Sequence, residues 1–482
     1  MNRKKGNILR KAVLVALICI PILALTLLER DSGVSAKTQD TYKHLEIFSN
    51  VLSIVKKSYV EEIDTEEIIE GAIKGLLTTL DPHSSFMKPD DFKELQVETK
   101  GSFSGIGIEI AIRDGILTVV SPIEGTPAFK KGLKAGDKIV KIEDEPTKDF
   151  TLMEAVKRLR GTKGTKVTIS IHRKGWRELK KVTIVRDVIP LHSVKSRWLE
   201  PGYPYVRITN FQSKTTKDLK KVLKEFSDKE EIKGLLLDLR SDPGGLLDQA
   251  VKVSDLFLRN GVIVSTKGRI KEQNMTYKAH SGGVYYDFPM VVLVNEGSAS
   301  ASEIVAGALQ DHKRALILGA QTFGKGSVQT IIPMNNGAGL RLTTARYYTP
   351  NGTSIQAKGI TPDIIVPTPV FTREDTEPEE KKIRKPRFLR EKDLINHMKN
   401  GDDPEEDDEK TTEQEESDDE ETFVDDSDDV KEDAGDEDGD EDEDEDEGEE
   451  SRKKEELEKD PQLKTALMLL KGLNVFQDMK KQ

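Results

Sequence analysis

The chain has 482 residues, of which 35% are hydrophobic and 33% charged, and a formal net charge of −13. That length allows two or three domains with ample core, and the lone cysteine, Cys19, excludes a disulfide framework. The charge is uneven: residues 401–450 hold 33 Asp and Glu against two Lys, a local −31 that leaves +18 on everything else. The basic body suits anionic surfaces, membranes included, or its own tail. Its Lys and Arg are scattered with no aromatic-basic motif among them, so no nucleic acid partner is expected.

Arg3, Lys4, Lys5, Arg10 and Lys11 precede an uncharged apolar run of 17 residues, Ala12 to Leu28, and Val34-Ser35-Ala36 is a small-residue cleavage site. Residues 1–36 therefore read as either a signal peptide or a short signal anchor with its positive end in the cytoplasm. Both place the bulk of the chain in the bacterial cell envelope, in the periplasm, with the inner membrane as a partner if the segment stays uncleaved. Cys19 follows Ile18 rather than a small residue, which argues against a lipoprotein site.

Residues 37–98 read as an N-terminal helical segment. Leu45, Phe48, Val51, Leu52, Ile54 and Val55 recur at helical spacing, as do Ile68, Ile69, Ala72, Ile73, Leu76 and Leu77. The segment closes at the turn Leu80-Asp81-Pro82-His83-Ser84-Ser85, where His83 reads more readily as a structural hydrogen-bonder than as a catalyst.

Between residues 99 and 188 the pattern changes to short strands, around Ile106–Ile110, Val119-Val120, Ile139–Ile142 and Val167–Ile171. Leu152 to Leu159 reads as one amphipathic helix, and Gly132 to Asp137 as a tight turn. Together with the Gly-Ile-Gly-Ile loop, this stretch resembles a PDZ domain. The resemblance implies that the amides of Ile106, Gly107 and Ile108 cradle a peptide's terminal carboxylate. A groove beside the helix would then take the last apolar side chain.

From 189 to 370 strands alternate with helices: Tyr205–Ile208, Lys217–Phe226, Gly234–Leu239, Leu246–Leu258, Met290–Val294, Ser300–Gln310 and Ala315–Leu318. Such alternation predicts an α/β layer with a largely parallel sheet, whose active site gathers at the carboxyl ends of strands. Two glycine-bearing turns sit at such ends, Arg240-Ser241-Asp242-Pro243-Gly244-Gly245 and Gly297-Ser298-Ala299-Ser300-Ala301-Ser302-Glu303. A hydroxyl in the second turn faces free amides and the positive end of a helix. Lys325, in Thr322-Phe323-Gly324-Lys325-Gly326, follows Ser300 by 25 residues. Its neighbours Phe323, Gly324, Gly326 and Val328 carry no charge, a dry setting that would lower the lysine's pKa toward that of a usable base.

The order of PDZ pattern, Leu-Arg-x-x-Pro-Gly-Gly, Gly-Ser-Ala-Ser-Ala-Ser-Glu-Ile and Thr-Phe-Gly-Lys-Gly-x-Val-Gln resembles the carboxyl-terminal processing proteases, the tail-specific S41-type serine peptidases. Leu80–Ser85 and Ala345-Arg346-Tyr347-Tyr348-Thr349-Pro350 fit as well. The resemblance implies a ClpP/crotonase-like α/β core with an inserted PDZ domain. It makes Ser300 the nucleophile, Lys325 the general base and Gln329 the residue that orients it. The oxyanion hole would comprise the Ala301 amide and that of Gly244 or Gly245. No metal or other cofactor is implied. Family members often carry Asn where this chain has Asp242. Ser298 and Ser302 are expected to pack or cap, and Glu303 to serve as a capping-box partner. The implied activity is cleavage of proteins with free apolar C-termini. The competing reading, a non-catalytic exported PDZ scaffold, is disfavoured because Ser300, Lys325 and Gln329 are all present. An ester hydrolase is disfavoured because no Gly-x-Ser-x-Gly elbow occurs.

Residues 371–456, rich in Asp, Glu, Lys and Pro, read as a disordered acidic linker. The chain closes, over 457–482, with an amphipathic helix carrying Leu463, Ala466, Leu467, Leu469, Leu470, Leu473 and Phe476. Such a helix is expected to dock on the body, on a second copy of the chain or on an adaptor.

Overall fold

The structure, a computed structural model, describes residues 40–113, 115–281, 288–367, 389–400 and 457–481. The export segment and most of the acidic stretch lie outside these residues. No described helix is long and apolar enough to cross a membrane. Two compact units divide between Leu76 and Leu77. The first holds helix α1, over 40–58, and most of α2, Thr65–Thr78. The apolar positions that give α1 its period, Leu45, Phe48, Val51 and Ile54, stand exposed.

The second unit opens with β1 (Ser85–Met87), α3 (Pro89–Lys100) and β2 (Ser102–Gly105). A small antiparallel domain follows, built from β3 (Ile108–Arg113), β4 (Ile116–Pro122), α4 (Pro127–Lys130), β5 (Lys138–Ile142), β6 (Glu145–Pro146), α5 (Leu152–Leu159), β7 (Lys166–His172) and β8 (Lys180–Val185). Its sheet runs β3-β4-β5-β7-β8 with β6 on β5. Val119, Ile139, Ala155, Val167, Ile169 and Ile184 form a fully buried core. Helix α5 starts at a reciprocal cap, in which Glu154 N–H donates to Thr151 Oγ1 and Thr151 N–H to Glu154 Oε2. The Ala135-Gly136-Asp137 turn is pinned by Arg173, whose Nε donates at 2.6 Å to the buried Asp137. The chain enters this domain through β2 and leaves through β9 (Asp187–Pro190), paired antiparallel from Ser102↔Pro190 to Gly105↔Asp187. The domain is thus an insertion on a two-stranded stem.

The larger domain has two sheets. The first runs β10 (Val194–Glu200), β11 (Tyr203–Ile208), β12 (Leu235–Asp238), β15 (Met290–Val294), β16 (Leu316–Gly319) and β19 (Ile364–Ile365). Every pairing from β11 onward is parallel, as the alternating pattern predicts. Helices α6 (Thr215–Lys229), α7 (Leu247–Asp255) and α8 (Ala301–Asp311) contribute to the core on one face. Ala301 to Leu309 are all buried, and the small residues Ala306, Gly307 and Ala308 let α8 pack closely.

The other face is covered by the C-terminal helix Pro461–Lys481. Leu463, Ala466, Leu467 and Leu470 pack against Tyr205, Leu236, Val291, Leu293 and Leu318. Of the three expected docking partners, the body is the one the helix meets here. Asp460 anchors its start, accepting from the Leu463 amide and pairing with Arg240 at 2.8 Å.

The second sheet is antiparallel and is not legible in the sequence. It orders β1, β18 (Gly339–Tyr348), β13 (Val262–Gly268) and β14 (Met275–Lys278), with β17 (Ser327–Pro333) also on β18. Its strands mix polar and apolar residues on half-buried faces, so no continuous hydrophobic run marks them. The structure also corrects the boundary of the disordered stretch. Residues 389–400 fall inside it by composition, yet they form a 3₁₀ turn at Glu391–Asp393 with Glu391 fully buried.

Candidate active site

Three adjacent parallel strands, β12, β15 and β16, each deliver one piece of the site from their carboxyl ends. These are the Arg240–Gly245 turn, the Ser298–Ser302 turn and the loop of Thr322–Gly326. The first two turns are stitched together, because Ala299 N–H and Ser302 Oγ both donate to the Asp242 carbonyl at 3.0 Å. Ser298 Oγ donates to Leu239 O at 2.8 Å, and Phe323 N–H donates to Ser298 O at 3.1 Å. Ser298 and Ser302 are fully buried and committed to carbonyls, whereas Ser300 is half-buried. Burial therefore distinguishes three hydroxyls that look interchangeable in sequence.

Ser300 holds φ +58° and ψ −111°, a left-handed conformation rare for a side-chain-bearing residue, at the N-terminus of α8. Its amide donates to Glu303 Oε2 at 2.8 Å, the backbone half of the expected capping box. Its Oγ lies 3.1 Å from the Tyr347 hydroxyl, which lies 2.5 Å from the Lys325 carbonyl oxygen. A carbonyl can only accept, so the single Tyr347 proton goes to Lys325 O and Ser300 turns its own proton toward Tyr347. Burial raises the Tyr347 phenol well above its ordinary value, which keeps it neutral.

Glu303 does more than cap. It is fully buried and collects Ser300 N–H, Thr322 Oγ1–H at 2.6 Å, Gly324 N–H at 2.7 Å and Lys325 N–H at 2.9 Å. One carboxylate thus fixes the serine turn against the lysine loop. Burial pushes Glu303 up to about 7, against the pull of those donors. Burial is also the main influence on Lys325, and it lowers the ammonium from its usual range. Glu391, Glu303 and Asp81 oppose that shift, while Arg341 adds to it. Lys325 itself is half-buried, and four charged groups from other segments of the chain act on it beside the uncharged neighbours that the sequence shows.

Gly244, at φ +97°, lies so close to the serine turn that a Cβ there would sit 2.7 Å from Ala299 O and 2.8 Å from Ala301 N. Its backbone can approach because it has no side chain. Its N–H already donates to Asp242 Oδ1 at 2.8 Å, so an anion at this point would share that amide or take the amide of Gly245. Asp242 is fully buried, its Oδ2 has no partner, and burial pushes it up to about 8. An unpaired buried charge is costly, so the acid stays neutral near pH 7.

Gln329 sits on β17 within the same neighbourhood. Its Nε2 donates to Ser327 Oγ at 2.9 Å and lies 3.4 Å from Thr343 Oγ1, which ties it to the sheet. The hydrogen bonds described for it do not include Lys325. His83 is turned into the structure, with Nε2 2.7 Å from Glu391 Oε2. In the inserted domain Ile106 is buried and Gly107 has φ +81°, with Thr126 packed where its Cβ would stand. The Ile123 amide donates to Gly107 O at 3.1 Å, and Thr126 Oγ1 lies 3.0 Å from that oxygen and 2.5 Å from Ile123 O, which fixes the loop before β3. In the sequence Tyr347 lies within a matching motif that gives it no role, and the position of Glu303 implies only a local one. Their partners lie on segments that spacing does not connect.

Residues 202–366 match the model of peptidase family S41, residues 104–184 the PDZ domain, and residues 26–91 the activating protease CtpB N-terminal domain. The chain is 50% identical over 335 residues to a carboxy-terminal-processing protease of Bartonella bacilliformis, covering 69% of this chain and 77% of that one. It is 36% identical to the carboxy-terminal processing protease CtpA of Bacillus subtilis, over 66% of this chain and 68% of that one. Among solved structures, the photosystem II D1 C-terminal processing protease aligns with 66% of this chain and 92% of its own at 30% identity, with a TM-score of 0.39. These findings define a peptidase that carries a PDZ domain. The chain belongs to the carboxy-terminal processing proteases of peptidase family S41.

Proposed function

We propose that the chain is an exported serine endopeptidase that captures free apolar C-termini on its PDZ domain and cleaves with a Ser300–Lys325 pair. The observation that carries this reading is the shared anchoring of the two groups. A strained, half-buried serine heads a buried helix, a lysine with lowered pKa lies on the facing loop, and Glu303 holds both backbones. Ser300 Oγ attacks the scissile carbonyl as its proton passes to Lys325 Nζ. The oxyanion is met by the amides of Ala301 and the Pro-Gly-Gly turn. The C–N bond then breaks as Lys325 returns the proton to the leaving amine, and water hydrolyses the acyl-serine. Export rests on the basic, apolar N-terminus and places the enzyme in the envelope.

A second element of the reading is gating. Ser300 Oγ is bonded to Tyr347 rather than to Lys325, so attack requires the hydroxyl to swing from one to the other. Tail binding on the PDZ domain is proposed to favour that swing. The test uses one peptide substrate with a free or an amidated C-terminus, incubated with the parent, Ser300→Ala and Lys325→Ala full chains. Cleavage is expected only for the parent, and at a sharply reduced rate on the amidated peptide. Undiminished cleavage of the amide excludes tail recognition, and substantial turnover by either variant excludes the pair.

A further inference from the structure

Residues 389–400 are separated in sequence from the rest of the catalytic domain, yet they press directly on the lysine loop. Glu391 N–H donates to Phe323 O at 3.2 Å, two residues before Lys325. The Glu391 carboxylate is fully buried and joins two further segments. Oε1 accepts from Gln356 Nε2 at 2.8 Å, and Oε2 lies 2.7 Å from His83 Nε2 in the Asp81–Ser84 turn. Gln356 in turn accepts from Gly326 N–H at 3.0 Å and donates to Met398 O at 3.2 Å. Asn396 Nδ2 donates to Thr78 O at 3.2 Å. The loop that carries Lys325 is therefore gripped by Glu303 on the serine side and by Glu391 with Gln356 on the other.

We propose that Glu391 is a positioning residue for Lys325 and that residues 389–400 form a strap that completes the active site from behind. The inference rests on the reading of Lys325 as the base. A neutral amide of the same shape could hold Gln356, but it would not supply the charge that favours the ammonium form of Lys325. Burial alone would drive the proton from Lys325 and leave a weak base, and Glu391 works against that loss. Asp81 and Glu303 act in the same direction and Arg341 in the opposite one, while His83 and Tyr347 also face Glu391. The strap thus sets both where the lysine stands and how basic it is.

The test compares pH–rate profiles of the parent and Glu391→Gln full chains on a fluorogenic peptide with a free apolar C-terminus. The limb on which Lys325 loses its proton is expected to move to lower pH by roughly one unit, the size of shift that a nearby charge produces. The plateau kcat is expected to fall about tenfold with KM unchanged, as for a mispositioned group. Superimposed profiles overturn the proposal, and so does a lower plateau with the limb unmoved, which would mark a packing role only. If Glu391→Gln fails to fold, hydrogen exchange on the parent decides: a protected Glu391 amide supports the strap, and exchange at a free-peptide rate overturns it. The Lys325→Ala chain separates the two readings. Turnover there sinks the dyad, whereas an inactive Lys325→Ala beside unchanged Glu391→Gln profiles sinks the strap alone.

Discussion

The serine turn and the lysine loop face each other across the site and are held in opposite ways. The serine turn is fixed by its neighbour on the next parallel strand, through Ala299 N–H and Ser302 Oγ on Asp242 O and Ser298 Oγ on Leu239 O. The lysine loop is fixed by groups from four separate segments, Glu303 of α8, Tyr347 of β18, Gln356 of the turn beyond it and Glu391 of residues 389–400. A nucleophile must be rigid against its oxyanion donors, and a sheet edge supplies that rigidity. The base must be dry and tuned, and both properties depend on what is folded over it. The half of the site that needs only geometry is thus held against one neighbouring strand, and the half that needs an adjusted pKa is assembled from several separate segments.

The sharpest break of this contrast removes the reacting groups themselves. Ser300→Ala is expected to lower kcat by roughly 10⁴-fold or more, while Ser298→Ala and Ser302→Ala keep a nucleophile and lose about 1 kcal/mol of stability each. Peptide cleavage and thermal melts on the three variants check this. Next in size is Glu303→Gln, which loosens the link between the two sides and is expected to cost about 100-fold in kcat. Tyr347→Phe removes one hydrogen-bonding group from between Ser300 and Lys325 and should change kcat by up to about tenfold, read in the same assay.

The smallest effect concerns stability. Asp242 keeps its proton in the folded state up to about pH 8, whereas the unfolded chain releases it near the ordinary carboxylate value. The folded state binds more protons in that window, so this group's contribution falls as pH rises through it. Asp242→Asn removes the loss and should raise Tm on the order of a few °C, more at the alkaline end of the window than at the acidic end. An equal rise at both ends would show that Asp242 is ionised in the folded protein.

Legibility in the sequence follows the same divide. The strand Met290–Val294 and the parallel neighbours of β15 are short apolar runs between turn residues, so periodicity and composition found them. The middle serine, the Pro-Gly-Gly turn and the PDZ insertion came from motif order. The antiparallel sheet that carries Tyr347 and Gln329 was missed because strands such as Gly339–Tyr348 alternate weakly and hold Thr and Arg on half-buried faces. Glu391 was missed for a related reason. Composition averages a dozen ordered residues into a long acidic stretch, and a buried carboxylate shows only when His83 and Gln356 are found around it. The His83 turn read as structural, and its ring does bind a carboxylate rather than stand open in the site.

The central claim is that Lys325 activates Ser300. The most direct measurement treats the full chain with a serine-reactive phosphonate and maps the adduct by mass spectrometry, with labelling rates for the parent and for Lys325→Ala. The account predicts one adduct, on Ser300, formed rapidly in the parent and far more slowly without the lysine. An adduct on another residue, or equal labelling of Ser300 in both chains, would contradict it.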